Sequence, residues 1–258
     1  PERNCGESMI ELLPQYKNTV LKSGRSWYEV DGVRHTRVTT ALNVISKPAL
    51  VPWAIRETTN KMRAVMEASV NTTIDPVWIE EALQAAKEYP DEARDAAAAK
   101  GTAIHEAIYQ WQVLGERPDD PVISQAVQAY DAWRMTVAME VVASELTIWS
   151  PSHQYAGTID QVCRNAAGHW SVIDFKTGGA YPEAALQVAA YSNALEELTG
   201  IPVDDAWILR IPRDQPEDGS PQFFTKYMNH EHIQANFEAF RNALYLQRAL
   251  KNSEIWVE

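Results

Sequence analysis

Cysteine is scarce in this chain: two in 258 residues, Cys5 and Cys163. With no Cys-x-x-Cys pair, neither a cysteine-held zinc nor a four-cysteine iron–sulfur cluster is available. Two cysteines without an export signal fit a reducing cytosol, where a Cys5–Cys163 disulfide is not expected. Long apolar runs are missing too. None approaches the roughly 18 residues that span a bilayer, and no basic-then-apolar leader opens the sequence, so no membrane partner is expected. The first residue is proline rather than methionine, which fits a numbering that starts inside a longer gene product. No phosphate-cradling P-loop occurs. Basic residues are the minority, 23 against 35 acidic, for a net charge of −12. That balance argues against a polyanion held over the whole surface. Its distribution is uneven. Residues 1–66 carry ten Lys/Arg against six Asp/Glu (+4), and the rest thirteen against twenty-nine (−16). The N-terminal segment is thus the candidate for phosphate contacts.

What is present is ordinary globular material. The hydrophobic fraction is 45%, and the length suits one large domain or a domain with an extension. Residues 1–24 lack periodicity and read as loop or a peripheral arm. Trp27–Val30 and Val33–Val38 flank Asp31-Gly32, a strong hairpin signal because both residues tolerate positive φ. Thr39 or Thr40 is positioned to cap a short helix over 41–45. Helices are predicted over 51–68, over 76–88 from Pro76 at a first helical position, and over 92–114 after Pro90-Asp91. Pro121 opens another, to about Met139. The pattern then changes to three strands, 140–149, 155–164 and 169–175. An amphipathic helix over 182–198, strands over 203–211 and 223–227, and a closing helix over 231–250 follow. Residues 214–221 are turn-rich. The core order is helix–strand–strand–strand–helix–strand, an α/β domain. Residues 1–90 read as a hairpin and mainly helical extension, and 91–258 as the core.

Four short signals carry the chemistry. In a strand, residues two apart share a face, so Asp174 and Lys176 project together with Phe175 opposite. Asp160 ends Gly157-Thr158-Ile159-Asp160, where glycine permits close backbone approach. Brought side by side, Asp160 and Asp174 would resist joint ionisation unless a cation sat between them. An oxygen-seeking Mg²⁺ or Mn²⁺ is the natural partner. His105 lies in a helical Gly101-Thr102-Ala103-Ile104-His105, and its imidazole favours manganese. Glu106 points about 100° away and is expected in solvent. Gln187 and Tyr191 are four apart on one helix face.

Together, Gly101 to His105, Gly157 to Asp160, Asp174 to Lys176 and Gln187 to Tyr191 resemble the RecB-like branch of the PD-(D/E)XK nuclease superfamily. Val38-Thr39-Thr40-Ala41-Leu42 through Lys47-Pro48-Ala49-Leu50-Val51-Pro52-Trp53-Ala54 is similar to a stretch of phage-encoded RecB-like exonucleases. The resemblance implies a restriction-endonuclease-like αβββαβ core, with a mixed central sheet flanked by helices. It implies divalent-metal hydrolysis of DNA from an end, in phage recombination or DNA repair and processing, within the bacterial host cytoplasm. It also implies roles: His105, Asp160, Asp174 and the Phe175 carbonyl on one or two Mg²⁺ or Mn²⁺ ions, with Glu145 as an outer-shell acid. Asp160, Asp174 and Lys176 would be catalytic, Lys176 orienting or deprotonating water, with Gln187 and Tyr191 positioning the lysine and DNA. Unlike several relatives, the chain cannot hold an iron–sulfur cluster and has no helicase part, which favours a stand-alone exonuclease. A structure- or sequence-specific endonuclease and a non-catalytic nucleic-acid-binding protein remain alternatives. DNA, as duplex or single strand, is the expected partner, with an annealing recombination protein or further copies of the chain beside it. Trp27, Tyr28 and Trp53 are candidates for stacking on bases or for core packing.

Overall fold

A computed structural model describes residues 13–14, 18–211, 213 and 223–251. The Cys5 reading, most of the proposed arm and the turn-rich 214–221 lie outside the described residues.

Among the described residues, eight strands form one mixed sheet. They are β1 (Leu21–Ser23), β2 (Trp27–Val30), β3 (Val33–Arg37), β4 (Met139–Ser150), β5 (Tyr155–Asn165), β6 (Trp170–Lys176), β7 (Asp205–Arg210) and β8 (Phe224–Asn229). Six helices accompany them among the described residues: α1 (Val38–Ala41, continued by a 3-10 turn), α2 (Leu50–Ala68), α3 (Pro76–Leu114), α4 (Pro121–Val137), α5 (Glu183–Thr199) and α6 (His230–Lys251). The spatial strand order is β1-β2-β3-β5-β6-β7-β8, with β4 also on β5. Both Asp31 (φ 49) and Gly32 (φ 83) adopt positive φ in the β2–β3 turn, as the Asp-Gly pair predicts. β1 adds an antiparallel strand to that hairpin, in a region the sequence leaves as loop.

β5 organises the sheet. β4 runs antiparallel along one edge, from Met139↔Asn165 to Ser150↔Tyr155. The other edge is divided: β3 pairs in parallel at Tyr155 and Ala156, and β6 antiparallel from Gln161 to Arg164. Between these lies Gly157-Thr158-Ile159-Asp160, with no ladder pair to either neighbour.

Each face of the sheet has its own core. Tyr155, Ile159, Val162 and Val172 pack with Val188, Tyr191 and Leu195 of α5 and Phe240 and Leu244 of α6. On the other face, Ile173, Phe175 and Leu209 pack with Ile104 and Ile108 of α3 and Val127 and Tyr130 of α4. β6 therefore alternates as the period-2 pattern predicts, but both of its faces are covered. The Tyr155–Phe240 edge contact, 4.9 Å between centroids, is a favourable aromatic geometry worth about 0.5–1.5 kcal/mol beyond its area.

Two local expectations are corrected. Thr39 and Thr40 lie inside α1, which starts at Val38 behind Arg37 with no side-chain cap. The helices expected over 76–88 and 92–114 are one 39-residue helix with Pro90 inside it. Proline removes one intrahelical hydrogen bond, yet the helix formers around it, Ala82–Ala86 and Ala96–Ala99, keep the helix on both sides. By internal contacts the chain divides into two compact units, residues 46–102 and the remainder. In α4 Pro121 stands at the first helical position, as read, and Asp120, which the sequence reading did not single out, caps it: its Oδ1 accepts from the Val122 and Ile123 amides at 2.8 and 3.0 Å.

Replacing Pro90 by alanine restores a helix donor but loosens the unfolded chain. The expected net is a stabilisation of about 1–2 kcal/mol, measurable as a higher denaturation midpoint by circular dichroism. A lower midpoint would mean that the proline geometry is itself required.

Candidate active site

The site begins where β5 and β6 part. Their last bonded pair on this side is Gln161↔Ile173. Beyond it the Phe175 amide meets no β5 carbonyl; it donates to Asp160 Oδ2 at 2.5 Å instead. Alternation on β5 breaks at this point. Ile159 and Val162 both join the α5–α6 core, whereas Asp160 and Gln161 both reach residues of α3 on the opposite face.

Three ligand-type side chains converge here. One polar atom each from His105, Glu145 and Asp160 lie within 4.8 Å of one another. His105 Nδ1 is 3.6 Å from Asp160 Oδ1, and its ring stands edge-on to Phe175 at 5.4 Å. Buried Ile104 and Ile108 of α3 hold it in place. Glu145 arrives by an irregularity: its φ is 51, rare for a non-glycine residue inside a strand. Pairing passes from Ser144↔Gln161 to Leu146↔Ile159, skipping Glu145 and Asp160. Strain of this kind recurs at functional sites. Glu106 instead accepts from Gln110 Nε2 at 2.8 Å and is exposed, as expected.

A second group adjoins the first. Lys176 Nζ lies 2.6 Å from Asp174 Oδ2 and donates to Gln187 Oε1 at 3.3 Å. Gln187 spends its two amide protons on Asp174 Oδ1 (3.0 Å) and Tyr191 Oη (2.9 Å). One glutamine thus fixes lysine, carboxylate and phenol together. Tyr191 fills the space over Gly157, where an added Cβ would collide with its ring.

The electrostatics call for a cation. Burial, reinforced by the charge of Asp160, pushes Glu145 up to about 7. Burial also raises Asp174 to about 6, against the opposing pull of Lys176. Burial would lower His105 and Lys176, but Asp160 and Asp174 outweigh it and raise both. Asp174 Oδ2, fully buried, accepts no aligned hydrogen bond. Carboxylate oxygens with one imidazole suit Mg²⁺ or Mn²⁺, and a divalent ion would offset the burial and the neighbouring negative charge that raise these acids. The residues present therefore fit such an ion.

Sequence reasoning overlooked the support behind these groups. Tyr130 Oη donates to Gln161 Oε1 at 2.9 Å, Gln161 Nε2 donates to Gln112 Oε1 at 2.8 Å, and Gln112 Nε2 closes the ring on Tyr130 Oη. Ser144 Oγ adds a bond to Gln112 at 3.3 Å. Gln161 and Ser144 adjoin Asp160 and Glu145 in the chain, so the ring braces the strands that carry both acids. A glutamine following Asp160 in the strand-like segment Ile159 to Cys163 was the available signal. Of the three aromatics read as candidates for base stacking or core packing, Tyr28 is core, bonded to Thr158 Oγ1 at 3.0 Å. Trp27 is half-buried, with Arg34 4.7 Å over its ring, and Trp53 is half-buried in α2.

Comparison with known proteins gives the family. The profile of the PD-(D/E)XK nuclease superfamily matches residues 57–255, and the chain belongs to that superfamily. No curated protein matches. Among solved structures, the chain is similar to an alkaline exonuclease from Laribacter hongkongensis, at 12% identity over 58% of this chain and 84% of that one, TM-score 0.28. A complex of the same exonuclease with dAMP gives 14% identity over 77% and 96%, TM-score 0.27.

Two outcomes are expected from this geometry. In metal-free protein Glu145 holds its proton more tightly folded than unfolded. Its contribution to stability is therefore full below about 4.5 and is lost as pH rises through about 7. In EDTA, wild-type melting temperature should fall more between pH 5.5 and 7.5 than that of Glu145→Gln; equal slopes would count against the crowding. Gly157→Ala should displace Tyr191, cost about 1–3 kcal/mol and lower activity through Gln187, which chemical denaturation and turnover would report.

Proposed function

We propose that this protein is a divalent-metal-dependent DNA exonuclease of the RecB-like type, acting in phage recombination or DNA processing. The observation that carries the proposal is the adjacency of two groups: the His105–Glu145–Asp160 cluster and the Asp174–Lys176–Gln187–Tyr191 chain. Phosphodiester hydrolysis needs an activated water and charge neutralisation at phosphorus. A bound Mg²⁺ or Mn²⁺ supplies acidity to water and positive charge for the phosphate. His105, Asp160, Asp174, Glu145 and the Phe175 carbonyl are the groups that would hold it.

Lys176 has a different task. Asp174 and Asp160 raise its pKa and keep it charged. It then orients the attacking water and offsets charge at the phosphate rather than removing a proton. Gln187 keeps Lys176 and Asp174 aligned, and Tyr191 holds the Gln187 amide in the orientation that serves both.

Action at an end is favoured by the likeness of residues 38–54 to phage RecB-like exonucleases. In this reading linear DNA is the substrate, an annealing recombination protein is a plausible companion, and the bacterial cytoplasm is the place of action. Among the described residues, no helix is long and apolar enough to cross a membrane.

The test is digestion of end-labelled linear duplex, single strands and closed circles with Mg²⁺, Mn²⁺ or EDTA. Loss of linear DNA, sparing of circles, and silence in EDTA and in Asp174→Ala are the expected results, with activity of the variant down at least about 10³-fold. Cut circles would assign an endonuclease. DNA binding without cleavage under any condition would leave a non-catalytic binding protein.

A further inference from the structure

The face of the sheet that bears Lys176 continues outward to the edge. Parallel pairing sets Lys176 beside Arg210 on β7, and antiparallel pairing sets Arg210 opposite Phe224 on β8. A second row, Asp174–Ile208–Lys226, runs alongside. Directly paired residues share a face, so both rows lead away from the acids. β8 ends the strand order, and Phe224 there is 43% exposed. Two interstrand steps of about 4.8 Å separate it from Lys176.

The loop over residues 177–182 is tied to these rows. Arg210 Nε donates to the Gly178 carbonyl at 3.1 Å, and Lys226 Nζ to the Ala180 carbonyl at 3.2 Å. At its far end the Tyr181 carbonyl accepts the Ala184 amide at 3.0 Å and leads into α5. Tyr181 rests against Gly179, where a Cβ would come within 2.8 Å of the ring, and is itself 54% exposed. The ring is thus presented to solvent from a loop fastened at three points.

Exposed aromatic rings interleaved with cations, in a chain of net charge −12, suit a particular polyanion. In duplex DNA the base faces are already stacked on one another. An unpaired strand offers both base faces and phosphates, and proteins grip it by stacking plus charge. We infer that the surface formed by Tyr181, Phe224, Lys226 and Arg210 binds the unpaired nucleotides next to the phosphate being cut. Tyr181 and Phe224 stack on bases, and Lys226 faces the backbone. This assignment rests on the nuclease reading and adds to it that the cleaved strand is engaged unpaired.

The test uses full-length protein with Mg²⁺ and a single strand of about 12 nucleotides carrying 2-aminopurine near its end, beside a blunt duplex of the same sequence. Tyr181→Ala should raise KM for the single strand about tenfold, leave kcat nearly unchanged, and abolish the stopped-flow quench that precedes cleavage. Tyr181→Phe should restore both. Lys226→Gln should lower the salt slope of log kcat/KM by about 0.7. Phe224→Ala, on a different element, repeats the KM test independently of the loop, and melting temperatures check the fold of each variant. Wild-type cleavage with unchanged KM and quench in both alanine variants would overturn the inference while leaving the nuclease reading intact. A wild type that neither binds nor cleaves DNA would overturn both.

Discussion

The structure turns on one hydrogen bond, from the Phe175 amide to the Asp160 carboxylate. Buried backbone donors must be satisfied. If β5 and β6 stayed paired to their ends, that amide would be spent on the β5 backbone and the strands would close over the site. Because a side-chain carboxylate takes it, the strands can part beyond Gln161↔Ile173 and the sheet remains intact on both sides. The opening that results is where side chains from α3, β4, β5 and β6 meet.

Holding several acids together there is electrostatically unfavourable in the metal-free protein, and the fold opposes this with rigidity. The Tyr130–Gln161–Gln112 ring, buried at Tyr130 and Gln161 and half-buried at Gln112, is mutually satisfied, the condition under which a polar network stiffens a core rather than weakening it. The Gln187 amide similarly leaves Lys176 and Asp174 little freedom. Glu145 in its positive-φ conformation is held by ladder pairs on either side. Stability is thus given up locally for a preorganised anionic pocket, a common arrangement where a cation is to be bound.

Much of this was legible because its geometry is local. Asp174 and Lys176 share a face through strand pleating, and Gln187 and Tyr191 share one through helical pitch. The Asp31-Gly32 turn needs only its own two residues. What escaped reading depends on distant neighbours. Gln161 bonds Tyr130 and Gln112 across 31 and 49 residues, and no periodicity reports such a ring. Pro90 reads as a stop because local propensity says so, yet α3 continues past it. The placement of Asp160 and Gln161 on one face contradicts strand alternation outright.

By itself, then, the sequence determined the order of elements, the superfamily motifs and the residue types able to hold a hard cation. Spacing along a regular helix or strand converts directly into direction in space, and chemical identity needs no fold to be read. Only the tertiary structure decided that β3 and β6 share one edge of β5, that Glu145 turns out of its ladder to join His105 and Asp160, and that Arg210 and Phe224 extend the row begun by Lys176. Those relations arise from hydrogen-bond register between strands and from packing on both sheet faces, which residues far apart along the chain set jointly.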